Sequence, residues 1–270
     1  MEITNLAGYG VAIFAIVFGI VFKDGGINFG AMGNFFDATS LFIVVVGTLA
    51  VLLAGTPFRI IKKIPKHFKQ IFFKNKRDPL EYISIITELS KEARKKGLLA
   101  LEDKANNFED EFLKESVLFI VDAIEPDKLK ARFQQKLDYI AMRDGEEKKF
   151  YDMGAALGPS FGMLGTLVGL INMLKSMNLD GGAGSLGADM SVALITTFYG
   201  SIIANVIFTP LGNKLEDAQS QEMLFKEMII EGVISIKEGE NPKYIEEKLL
   251  NFLDDSVKKN MDENKGSSEE

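Results

Sequence analysis

Two stretches of this chain combine small residues with hydroxyls at helical spacing and carry no charge: GPSFGMLGTLVGLINML, residues 158–174, and MSVALITTFYGSIIANV, residues 190–206. In the first, Gly158, Gly162, Gly165 and Gly169 recur at steps of 4, 3 and 4 beside the hydroxyl of Thr166. In the second, Ala193, Thr197, Ser201 and Asn205 follow at steps of 4. A glycine inside a soluble helix costs about 1 kcal/mol relative to alanine. In lipid, helices associate by close packing rather than by expelling water, so small residues gather where backbones meet. The glycine face is therefore expected to face other helices, and leucine at Gly162 or Gly165 to block subunit association. Two faces that bear hydroxyls have the chemistry to line an aqueous or ion path between them. The same stripes serve tight packing alone equally well.

Other chemistries are excluded by what the chain lacks. It has 270 residues, a net charge of −7, no cysteine and a single histidine, His67. A disulfide framework and a Cys-based metal site are impossible, as are His-dependent triads and multi-histidine metal centres. No nucleophile–base pair, metal cluster or phosphate loop is present, so an enzyme is the weakest class and neither cofactor nor metal is expected. Only one local cluster holds a long run of positive charge without acids, which argues against a nucleic-acid partner.

The elements that must position the stripes are membrane spans. Four uncharged stretches approach the roughly 20 apolar residues that cross a bilayer: Leu6–Phe22, Ala38–Phe58, Met153–Leu174 and Met190–Asn213. Glu2 and the absence of a basic leader argue against a cleaved signal peptide. The segment RIIKKIPKHFKQIFFKNKR, residues 59–77, holds eight Lys or Arg and no acid. By the positive-inside rule it lies in the cytoplasm, which makes both termini cytoplasmic. Its Ile61, Ile64, Phe68 and Ile71 recur at helical spacing, so it can also lie at the lipid headgroups. Pro159 and Pro210, near the cytoplasmic ends of the third and fourth spans, are expected to break those helices and free backbone carbonyls. No span carries an ionisable side chain. Ion transport normally needs one, so any intramembrane carboxylate must come from a partner chain.

Between the hairpins the chain is polar and helical. Asp78 with Pro79, and later Asn241 with Pro242, each read as an N-cap followed by proline at the first helical position. Gly97 ends the first of these helices. Further helices are expected over Leu98–Asn106, Glu111–Ala123 and Asp127–Arg143, and no segment alternates as a strand. The fold class is all-α, a polytopic membrane protein with four transmembrane helices and a helical cytoplasmic domain between the second and third. The expected organisation is a first hairpin at 1–58, a cytoplasmic basic segment and helical domain at 59–152, a second hairpin at 153–213, and C-terminal helices with a tail at 214–270. The tail MDENKGSSEE has little to bury and is expected to be disordered.

These features carry a resemblance. GPSFGMLGTLVGLINML, MSVALITTFYGSIIANVIFTPLGNKL and the later EGVISIKEGENPKYIEEKLLNFL resemble the MotA/PomA stator subunits of the bacterial flagellar motor, within the MotA/TolQ/ExbB proton channel group. The likeness covers nearly the whole chain. TolQ and ExbB relatives, energisers of outer-membrane processes, have fewer spans and are the alternative. The resemblance implies a ring of five subunits in the bacterial inner membrane around the helices of a MotB-type partner, which supplies the intramembrane aspartate. Flow of H+ or Na+ would turn the ring against the rotor protein FliG. It implies that Thr166 and Thr197 face the pore, and it assigns functional roles to Pro159 and Pro210. The rotor-contact charges match Arg94 and Glu102, which by themselves read as ordinary solvated residues. A threonine at Thr166 is similar to sodium-type stators, although hydroxyls and water also carry protons, and the coupling ion stays open.

Overall fold

The protein is described by a computed structural model, which covers residues 3–23, 25–72, 77–122, 125–180 and 183–253. The MDENKGSSEE tail lies outside these residues. In chain order the helices are α1 (Ile3–Val21), α2 (Ala38–Leu41), α3 (Gly47–Ala54), α4 (Phe58–Ile61), α5 (Ile64–Phe72), α6 (Pro79–Lys96), α7 (Leu101–Asn106), α8 (Glu111–Val121), α9 (Pro126–Asp180), α10 (Ala183–Ile202), α11 (Thr209–Lys237) and α12 (Pro242–Leu250). A π-helical turn at Phe42–Val46 joins α2 to α3, and another at Ile203–Phe208 joins α10 to α11. The only extended pairing among the described residues is Phe22–Lys23 with Gly26–Ile27, a departure from the strand-free expectation. It closes the tight reversal after α1, where Gly25 takes a φ of 79° that disfavours other residues.

Among the described residues three helices are long and apolar enough to cross a membrane, within Ala38–Gly55, Pro126–Met177 and Leu186–Lys237, and Ala7–Val21 is a shorter apolar one. The last two are longer than their sequence predicts. The polar helix expected at Asp127–Arg143 and the third span are one 55-residue helix, α9. Between them only Gly145 is a weak helix former, and the Lys148–Asp152 pair at 2.9 Å supports continuity at i,i+4 spacing. The glycine-rich stretch 175–189, between the expected third and fourth spans, is also mostly helix among its described residues, since α9 runs to Asp180 and α10 starts at Ala183.

Neither proline breaks its helix. Pro159 lies inside α9 and Pro210 is the second residue of α11. An apolar surround offers backbone groups no other partner, so a helix tolerates one lost bond rather than opening. Beside Pro159, the Ser160 hydroxyl donates to the Ala156 carbonyl at 2.9 Å. Ahead of Pro210 the π turn has already shifted the bonding register, with the Thr209 N–H donating to Ala204. Such turns are a common way to absorb a residue the α pattern cannot seat.

The chain divides into two compact units. The first comprises 1–75 and 144–218, with a core that includes Leu52, Ile60, Ile71, Tyr151, Phe208 and Leu215. The second comprises 76–143 and 219–270 and is built on Ile86, Leu113, Ile120, Phe133, Ile229 and Ile245. There Asp78 and Asn241 cap α6 and α12 as their sequence predicts, accepting from Leu80 N and Lys243 N. Gly97, at φ 84°, ends α6.

Candidate functional site

The glycine stripe of α9 packs against α10 of the same chain. A Cβ on Gly158 would stand 2.9 Å from the Gly200 carbonyl, and one on Gly162 3.0 Å from the Thr196 carbonyl. One on Gly165 would overlap the Thr196 side chain, and one on Gly169 would meet the Asp189 carbonyl at 2.8 Å. Four glycines therefore set the separation of two backbones along about three turns. The neighbour of this stripe is internal, α10 of the same chain, where the expectation was a contact between subunits. The sequence signal was periodicity alone, which cannot tell one neighbour from another. The second span and the turn before it contact both helices. Gly47 admits the Phe161 ring, Ser40 Oγ donates to Val192 O at 3.4 Å, and the Tyr199 hydroxyl donates to Phe35 O at 2.6 Å.

That close approach assembles a cluster of oxygens. Thr166 Oγ1 lies 2.7 Å from Thr197 Oγ1, 3.0 Å from the Ala193 carbonyl and 3.1 Å from the Gly162 carbonyl. Thr197 Oγ1 is 3.4 Å and Thr196 Oγ1 2.9 Å from the same Ala193 oxygen. Thr166 and Thr197 bring two hydroxyl protons to this cluster, and each hydroxyl can also accept. Once one proton joins the hydroxyls and the other goes to a carbonyl, acceptor capacity is left over. An oxygen-rich site of this kind can solvate a hard cation or relay a proton by rotating its hydroxyls. It carries no charge of its own.

Thr166 is half-buried and Thr197 exposed, so the pair opens on the outer edge of the crossing. Ser201 and Asn205 continue that exposed edge along the end of α10 and the π turn after it. Asn205 Nδ2 donates to the Ser201 carbonyl at 3.1 Å, and no contact brings Ser201 to Thr166. A carboxylate that joins these helices among the described residues is Asp189, just before the expected fourth span, which accepts from Ser176 Oγ of α9 at 3.1 Å. It is two turns, about 12 Å, from Thr197 along α10.

A sequence model of the MotA/TolQ/ExbB proton channel family matches residues 104–228. The chain is 38% identical over 253 residues to Motility protein A of Borreliella burgdorferi, covering 94% of each. It is 32% identical over 250 residues to the Chemotaxis protein PomA of Vibrio alginolyticus, covering 93% of each. Its fold matches a chain of the flagellar MotAB stator complex from Bacillus subtilis with a TM-score of 0.83 and 30% identity, over 95% of this chain and 98% of that one. The chain belongs to the MotA/PomA flagellar stator family. It is a multi-pass membrane protein of that family, and the TolQ/ExbB-like alternative falls away because these motility proteins match 93% or more of its length.

In this stator-family chain the charges singled out by resemblance lie in the second unit, both exposed. Arg94 Nη2 donates to the Gly239 carbonyl at 3.0 Å, so it fastens the end of α6 to the turn after α11. Glu102 has no hydrogen-bond or ion partner among the described residues. Pro159 is exposed and Pro210 half-buried, and no described contact joins either to the hydroxyl pair.

The basic segment holds what the sequence reading missed. Its buried stripe is Ile60, half-buried Ile64, His67 and Ile71, rather than one including Phe68, which is 43% exposed. His67 is fully buried, with Nε2 2.9 Å from Glu147 Oε2 and Nδ1 3.3 Å from the Tyr151 hydroxyl. A carboxylate only accepts, so Nε2 carries the proton and Nδ1 accepts from Tyr151. Burial holds the His67 imidazole below its ordinary value, outweighing the pull of Glu147. Burial pushes the Glu147 carboxyl up, but the Lys63 ammonium and the His67 N–H bonded to it prevail and hold it below the usual range. Burial and the Glu147 charge push Tyr151 up to about 12. A histidine in a 4, 3, 4 apolar pattern was the available signal.

Proposed function

We propose that this chain is the ion-conducting stator subunit that, with a MotB-type partner, couples flow of H+ or Na+ to torque on the flagellar rotor. The observation that carries the reading is the Thr166–Thr197 hydroxyl pair, 2.7 Å apart at a glycine crossing and open on one edge. Neutral oxygens of this kind lower the cost of bringing an ion into a membrane but do not bind and release it by changing charge. The partner chain then supplies the aspartate, against the edge formed by Thr197 and Ser201. Exposed apolar side chains flank that edge, including Met163 at 63% and Leu194 at 62%, and are suited to further copies or to lipid.

On this reading four helices span the bacterial inner membrane with both termini in the cytoplasm. Residues 1–58 and 153–213 form the two hairpins, 59–152 the basic segment and rotor-facing domain, and 214–270 the C-terminal helices and tail. Five copies ring the partner, Pro159 and Pro210 couple ion passage to ring movement, and Arg94 and Glu102 meet FliG. The basic segment supports the orientation, because its eight cations follow directly on the second span.

The test is ion flux into cells or vesicles with and without the partner. The chain alone is expected to be silent, and coexpression to restore flux. Thr197→Ser is expected to retain motility that Thr197→Ala loses, and swimming speed against external sodium separates the two ions. Robust flux through the isolated chain, or equal motility of the serine and alanine variants, would overturn the reading.

A further inference from the structure

Leu99 is 75% exposed, the most exposed large apolar side chain among the described residues. One exposed leucine is ordinary, but here the backbone is arranged to keep it outside. Gly97 ends α6 at a φ of 84°, and its N–H donates to Ala93 O at 2.8 Å. Residues 98–100 then form a single 3-10 turn, with Ala100 N donating to Gly97 O at 3.3 Å. Leu98 packs against the core of the second unit and Leu101 is fully buried. Residues three apart eclipse in such a turn, so anchoring Leu98 and Leu101 inward turns Leu99 outward.

The charges around it divide into two groups. Glu92 accepts from Lys96 at 3.0 Å and pairs with Lys104, which locks the end of α6 onto α7. Arg94 is engaged with the Gly239 carbonyl. Lys95 and Glu102 are exposed and have no partner among the described residues. They flank Leu99 in the chain, one cation four residues before it and one anion three residues after it.

We propose that Leu99 is the apolar centre of the rotor contact, seated on docking in an apolar pocket of a partner protein, with Lys95 and Glu102 meeting an acidic and a basic group on that pocket's rim. This rests on the reading of Arg94 and Glu102 as rotor contacts. An apolar centre with a polar rim is how small protein interfaces hold, and the rim charges guide encounter and register. The opposite signs of Lys95 and Glu102 suit a protein surface of mixed charge better than a uniformly anionic lipid face. The fixed turn also presents the leucine without a cost in ordering a flexible loop.

The test uses full-length chains expressed with the partner subunit, reading swimming and stator recruitment to the motor together with membrane abundance. Leu99→Ala is expected to lower recruitment by roughly tenfold, on the scale of removing a buried isobutyl group. Leu99→Asp is expected to abolish motility, and Leu99→Met to remain close to the parent, all three accumulating normally. Arg94→Glu and Glu102→Lys serve as the comparison. If they impair swimming and Leu99→Asp does not, the inference fails while the rotor-contact reading stands. If both charge variants swim normally, that reading fails as well. A loss of abundance in Leu99→Asp would place Leu99 in subunit packing, and binding of the parent but not Leu99→Asp to anionic vesicles would place it on lipid. Either outcome overturns the proposal.

Discussion

Replacing Gly200 by alanine is expected to force α9 and α10 apart and to pull the Thr166–Thr197 hydroxyl pair open. A Cβ there would stand 2.5 Å from the Gly158 carbonyl oxygen and 3.2 Å from Gly162 Cα. A comfortable carbon–oxygen contact is about 3.3 Å, so the backbones must separate by roughly 0.8 Å. The obstacle is main chain on a packed helix, which cannot rotate away as a side chain would. A gap of that size forfeits about a quarter to a half of each van der Waals well, itself about 0.1–0.2 kcal/mol. Over about 40 atom pairs, the number one buried leucine makes, the loss is about 1–4 kcal/mol. Breaking the hydroxyl pair adds about 1 kcal/mol, and alanine returns about 1 kcal/mol through its better helix propensity. The net cost is about 1–4 kcal/mol.

The assay is unfolding of the purified chain in mixed micelles, following helix content against the fraction of denaturing detergent. Gly187→Ala is the control, because that glycine is exposed on the same helix with nothing within 4 Å of an added Cβ. It is expected to be neutral or slightly stabilising. Gly158→Ala with Gly200→Ala should cost less than the sum of the two, since one separation relieves both clashes. Equal midpoints for Gly200→Ala and Gly187→Ala would refute the internal crossing. A destabilised Gly200→Ala that still conducts normally with its partner would separate packing from ion passage.

Acid should weaken the first unit through His67, which is neutral when folded and held below its ordinary pKa by burial. Its contribution is fully present above about pH 6.5 and falls as pH drops from there towards the folded value, because the unfolded chain takes up the proton first. His67→Gln should flatten the melting temperature between about pH 7 and 5.5, and an unchanged slope would rule the imidazole out. In the second unit, Asp110 accepts from Phe112 N at 2.8 Å, Leu113 N at 3.1 Å and the Tyr82 hydroxyl at 2.9 Å. Asp110→Ala should cost about 2 kcal/mol or more, the loss of a cap and of a charge-assisted bond, and a melting point unmoved by that change would sink the argument. Arg94→Glu should cost less than about 1 kcal/mol because its bond to Gly239 is exposed, so a large loss of abundance would make Arg94 structural rather than a rotor contact.

Legibility followed the range of the physics. Asp78-Pro79, Asn241-Pro242 and Gly97 were readable because a cap and a helix stop are decided within three or four residues. The apolar runs and the small-residue stripes were readable for the same reason. What failed was continuity. Residues 144–152 look like a polar linker, yet nothing in them ends a helix, and α9 runs through to Asp180. Pro159 and Pro210 looked like breaks because a proline removes a helix hydrogen bond, yet one lost bond does not open a helix whose carbonyls have no other partner. The His67–Glu147 pair was out of reach because its members are 80 residues apart. No local pattern records which faces will meet over that separation.

On the proposed reading, the hydroxyl pair accounts for the lack of a carboxylate beside Thr166 and Thr197. In the proposed ring every side chain at this position occurs once per copy. A carboxylate in place of Thr166 would put several like charges around one axis. They would repel one another at low dielectric or hold ions too tightly to release. Neutral oxygens avoid both problems, since Thr166, Thr197 and the Ala193 carbonyl can replace part of an ion's hydration without trapping it. A single charge delivered from a partner then meets identical neutral sites in turn. Its energy differs little from one site to the next, which is the condition for stepping around a ring without a deep minimum.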